Sequence, residues 1–87
     1  MAFLEQIYYA VLSKTLAAAA SDIPMGQDGL ANSFTILTGP VDIVLKIGSA
    51  SNDELTSVSG VDGVTFDELY ASSAAGGAVT IFVAWIS

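Results

Sequence analysis

At 87 residues the chain is long enough for one domain, near the size where a single core only just outweighs chain entropy and self-association often supplies the difference. Apolar residues make up 53% of it and charged residues 13%, about half the usual share for a soluble domain, so partners are expected to cover part of the surface. Nine acidic residues stand against Lys14 and Lys46 with no arginine, a formal charge of −7 that excludes a phosphate-gripping nucleic-acid protein and argues against an anionic membrane surface.

The first segment, MAFLEQIYYAVLSKTLAAAAS, reads as a helix. At about 100° per residue, Phe3, Leu4, Ile7, Tyr8 and Val11 gather on one side, and Gln6, Tyr9, Ser13 and Ala17 on the other. Leu16 to Ala20 extend it with strong helix formers, and Ser21, Asp22 and Pro24 stop it. Residues 1–23 are therefore expected to form an amphipathic arm or sheet cover, separate from a β-domain over residues 24–87. Glu5 and Gln6 fall where a signal peptide needs unbroken apolar residues, and with Lys14 they interrupt a membrane span, so neither a leader nor a spanning helix is expected.

PMGQDGLAN, from Pro24 to Asn32, is a turn-rich connector, after which the apolar period changes from 3.6 to 2. Phe34 and Ile36 mark a first strand ended by Gly39-Pro40. In VDIVLKI, Val41, Ile43, Leu45 and Ile47 are expected inward, with Asp42 and Lys46 outward and paired to neighbouring strands. GSASNDEL is a polar loop, a weak strand follows over Leu55 to Val61, and Asp62-Gly63 is a hairpin signal. VTFDELYA reads as one strand and SSAAGG as a turn. AVTIFVAWIS then alternates Val79, Ile81, Val83 and Trp85 with Thr80, Phe82, Ala84 and Ile86, so both faces of the last strand need cover from water. The fold class expected is mainly β with one N-terminal amphipathic helix, about five strands making an antiparallel sandwich or small barrel.

Chemistry-bearing patterns are scarce. Histidine and cysteine are absent, no serine sits in a nucleophile-elbow pattern, and Ser13 and Lys14 would point about 100° apart on a helix, so no enzymatic activity is expected. Asp53-Glu54, Asp62 and Asp67-Glu68 do not have calcium-loop spacing and read as solvated loop acids. Gly76-Gly77 reads as a hairpin loop, since no helix N-terminus follows it to cradle a phosphate. No cofactor and no metal are expected.

VTFDELYASSAAGGAVTIFV, from Val64 to Val83, resembles a segment of short tailed-bacteriophage virion proteins: a strand with an aromatic-Asp-x-Leu-Tyr core, a small-residue turn and an apolar returning strand. FTILTGPVDIVLKIGS looks like the opening strands of the same small sandwich. The resemblance covers roughly the last two thirds of the chain and implies a non-enzymatic structural component, assembled in the host cytoplasm into the virion. Its implied role is a capsid decoration or cement subunit, a symmetric homo-oligomer bound to a larger capsid or tail protein. The alternatives are a neck, tail, baseplate or receptor-binding component, or a self-assembling extracellular filament subunit that pairs its last strand with the next copy. The interface residues expected are Phe3, Ile7 and Tyr8 on the helix and Phe82, Trp85 and Ile86 on the terminal strand.

Overall fold

A computed structural model describes residues 9–56 and 58–85. Among them all regular structure is strand: β1 (Tyr9–Leu16), β2 (Ala20–Pro24), β3 (Ala31–Thr38), β4 (Val44–Ile47), β5 (Leu55–Thr56), β6 (Gly60–Phe66), β7 (Leu69–Ser73) and β8 (Gly77–Ala84). They form two antiparallel four-stranded sheets, ordered β1-β8-β3-β6 and β2-β7-β4-β5. One core joins the sheets. Leu12, Phe34, Val79, Ile81 and Val83 from the first pack with Leu45, Leu69 and Ala71 from the second, and Phe34 meets Phe66 edge-on with ring centroids 5.9 Å apart.

The expected N-terminal helix is overturned over residues 9–23. Tyr9 to Leu16 pair residue for residue with Ala84 to Gly77 of β8, and Ala20 to Pro24 pair with β7. A period of two was present beside the helical one: Ala10, Leu12 and Leu16 alternate with Tyr9, Val11, Ser13 and Thr15, three of which are aromatic or β-branched. The deciding factor is tertiary: β1 completes the second hydrogen-bond ladder of β8 and puts Ala10, Leu12 and Leu16 on the core side in register with Val83, Ile81 and Gly77. The alanine tract becomes the β1–β2 turn, with Ala19 in the left-handed region at φ 62°. Residues 1–8, with Phe3, Ile7 and Tyr8 among them, and Ile86 lie outside the described residues.

Eight strands replace about five because the expected helix supplies β1 and β2, and the strands expected over Leu55 to Val61 and Val64 to Ala71 become three, β5, β6 and β7. Asp62-Gly63 does not turn a hairpin; it lies inside β6, where Gly63 at φ 85° accompanies the shift in register against β3. Val64 to Ala71 is not one strand but a corner, Phe66 ending a strand of the first sheet and Leu69 opening one of the second. Glu68 pins that corner. Its Oε2 accepts from the backbone N–H groups of Gly26 at 2.9 Å, Gln27 at 3.0 Å and Leu69 at 3.3 Å, tying the β2–β3 connector to the crossing.

Candidate interaction surface

The outer faces of the two sheets differ in chemistry. On the second, Lys46 of β4 reaches across β7 to Asp22 of β2 at 3.1 Å and donates to the Ala50 carbonyl at 2.9 Å, while the Asp22 N–H donates to Ser72 Oγ at 2.8 Å. At one end of the same sheet, Asp42 braces the β7–β8 turn: Oδ1 accepts from the buried Ser73 hydroxyl at 2.6 Å and Oδ2 from the N–H groups of Ala74 and Ala75. Ser73 and the Ala75 N–H hold the Asp42 carboxyl below the usual carboxylate range. These are structural bonds that fix neighbouring elements.

The outer face of the first sheet is built without charge on three of its strands. Register places its outward side chains in cross-strand rows: Tyr9, Ala84 and Ser33; Val11, Phe82 and Thr35; Ser13, Thr80 and Thr38; then Thr15 beside Ala78. Tyr9 stacks on Phe82 as its diagonal neighbour, ring centroids 6.2 Å apart at 26°, and Ser13 Oγ lies 3.5 Å from Thr80 Oγ1. Tyr9 remains 68% exposed and Val11 57%, while Phe82 is half-buried. Asp62, paired to Ser33 from β6, bounds the face on one side. Every other described acid lies on the second sheet or in a connection, at positions 22, 28, 42, 53, 54, 67 and 68.

The sheet edges are interrupted. On β1, Lys14 takes a core-side position between buried Leu12 and Leu16 yet is exposed, an inward-pointing charge on an edge strand. On β2, Asp22 turns left-handed at φ 50° and Pro24 lacks an N–H; β5 is two residues long; β6 carries the Gly63 irregularity. Each device discourages pairing with another chain's edge. β8 has no free edge at all, being bonded to β1 and β3.

Of the interface residues expected from sequence, the described ones are Phe82, on the charge-free face, and Trp85, half-buried just beyond the end of β8. Sequence reasoning missed Thr35 and Thr80, and placed Tyr9 and Val11 on a helix rather than on β1. A shallow hollow of about 490 Å³ opens beside Phe82, lined also by Ser33, Thr35, Ser59, Gly60 and Asp62. Another, of about 420 Å³, is lined by exposed Leu37 and Val41 with Pro40, Ile43, Val58 and Ser59. Among the described residues no group of three or more histidine, cysteine, aspartate or glutamate side chains could hold a metal ion, and no helix is long and apolar enough to cross a membrane. Comparison with protein-family models, curated proteins and solved structures gives no significant match.

Proposed function

We propose that this protein is a non-enzymatic structural subunit of a virus particle, a decoration or cement protein that adds buried area between larger shell proteins. The observation that carries an assembly role is the charge-free outer face of β1, β8 and β3 on a chain of net charge −7. A face with two aromatic rings and Val11 at one end, hydroxyls and small side chains elsewhere, can be desolvated without stranding a charge. The virion setting is supported by the resemblance of residues 64–83. Bound area that exists only in the closed shell stabilises it by mass action, so local opening costs more.

The test compares particles assembled with and without the protein under heat or osmotic shock. Better survival of the decorated particles, lost when Val11→Lys is used, supports the role; equal survival overturns it. A receptor-binding role is the second reading, favoured by the hollow in which Phe82 borders Asp62 and the hydroxyls of Ser33, Thr35 and Ser59, chemistry that suits a sugar ring. A few copies at a tail tip, rather than many over a shell, would select it. A filament built by pairing the last strand with the next copy has no support in the topology, because both ladders of β8 are already occupied.

A further inference from the structure

We propose that the charge-free face of the first sheet takes a second copy of this chain, packed sheet to sheet across a two-fold axis that lies in the interface and runs across the strands. The inference rests on the reading of that face as an assembly surface and names its occupant.

Three observations point to a second copy. Electrostatics comes first: two chains each carrying −7 repel over most of their surfaces, and the face without charge is where they meet at least cost. A basic partner would instead be drawn to the acids of the second sheet and the loops. Relief is the second. Tyr9, Phe82 and Val11 form a ridge at one end of the face, and Ser13, Ala78 and Thr80 a low floor at the other. The stated two-fold reverses the strand direction of the partner, laying each ridge on the opposite floor, as a self-complementary interface requires. Third, the edges are interrupted, which leaves face packing as the open route to self-association.

Size sets the expected strength. Three strands about 4.8 Å apart and about 26 Å long give a footprint on the order of 400 Å² per copy, below the roughly 800 Å² of a standard stable interface. The dimer is accordingly weak when free, dissociating in the micromolar range, and is reinforced when both copies are also held on a larger body.

Sedimentation velocity of the purified chain over a wide concentration range tests this, with folding followed by circular dichroism. The expected result is a sedimentation coefficient that climbs from monomer to dimer with concentration. Val11→Lys and the milder Thr15→Lys should abolish the climb, although each lowers the net charge and so weakens general repulsion, while Thr56→Lys on β5 of the other sheet should leave it intact. Should Val11→Lys fail to fold, Thr15→Lys at its exposed position carries the comparison. A wild-type chain that stays monomeric at every concentration overturns the inference, as does a dimer indifferent to Lys at positions 11 and 15. If the wild type is monomeric but Val11→Lys still abolishes binding to particles, the face belongs to a shell protein: the second copy is then wrong and the assembly role stands. If Val11→Lys changes neither sedimentation nor particle binding, both fall.

Discussion

Ser73 Oγ donates to Asp42 Oδ1 at 2.6 Å, a bond between residues thirty-one positions apart that joins the β3–β4 connection to the start of the β7–β8 turn. The same hydroxyl accepts from the Gly76 N–H at 2.9 Å, so one buried serine orders both the acid and the turn.

Stability should therefore depend on acid. Ser73, then the Ala75 N–H, lower the folded-state pKa of Asp42, so its contribution is present above the unfolded carboxylate pKa and is lost as pH falls through the folded one. Melting curves of the wild type and Asp42→Asn should show a wild-type advantage at neutral pH that shrinks below about pH 4. An advantage that persists at low pH would contradict this assignment.

Two glycines of similar backbone angle should respond differently to alanine. At Gly63, φ 85°, a new methyl would meet nothing within 4 Å, whereas at Gly76, φ 79°, it would sit 2.7 Å from the Leu16 carbonyl oxygen. Gly63→Ala should cost about 1–2 kcal/mol for the left-handed conformation alone, and Gly76→Ala more, since the β1–β2 turn must also shift. Urea unfolding of both variants measures the difference.

Phe34 is buried and meets Phe66 edge-on, whereas Leu37, three positions along, is exposed. Phe34→Ala should cost about 3–5 kcal/mol, much of the total stability of so small a domain, and leave the chain largely unfolded at moderate temperature. Leu37→Ala should stay within about 0.5 kcal/mol. Both are read from calorimetric melts.

The Asp22–Lys46 pair spans three strands with both side chains partly shielded, at 31% and 17% exposure. A double-mutant cycle with Asp22→Asn and Lys46→Met should give a coupling of about 0.5–1 kcal/mol, weakening with added salt. A coupling of zero at low salt would show that the backbone bonds around Ser72 hold β2 in place without the pair.

The last strand was readable from its alternation, and Val79, Ile81 and Val83 on one side are fully buried; its place between β1 and β3 was not readable, and its other side, with Ala78, Thr80 and Phe82, faces outward. Leu45 was also readable, and it is fully buried. Val41, expected beside it, is fully exposed, because Pro40 to Ile43 form a turn closed by the Ile43 N–H on the Pro40 carbonyl and the strand starts only at Val44. β1 was hidden by the alanines that follow it: helix propensity is a local quantity, while the need of β8 for a second flanking ladder lies some seventy residues away. The corner at Asp67-Glu68 was equally hidden, since the carboxylate that makes it draws its partners from Gly26 and Gln27. The charge-free face could not be read from any one segment. Val11, Phe82 and Thr35 become a row only when three strands are in register.

The pairing of β1 with β8 puts Tyr9 opposite Ala84, the first described residue of one strand beside the last of the other. The first sheet consequently cannot close before β8 has been made, and β1 must wait for that distant strand. Closure depends on encounters between segments far apart in sequence, which predicts slow refolding for a domain of this length. The same neighbourhood makes the chain a natural candidate for circular permutation: a short linker could bridge the β8-to-β1 gap, and new ends in the polar loop at residues 49–53 would break no ladder. In such a permutant β1 and β8 become a local hairpin, and a marked gain in folding rate at unchanged stability would identify their closure as the slow step.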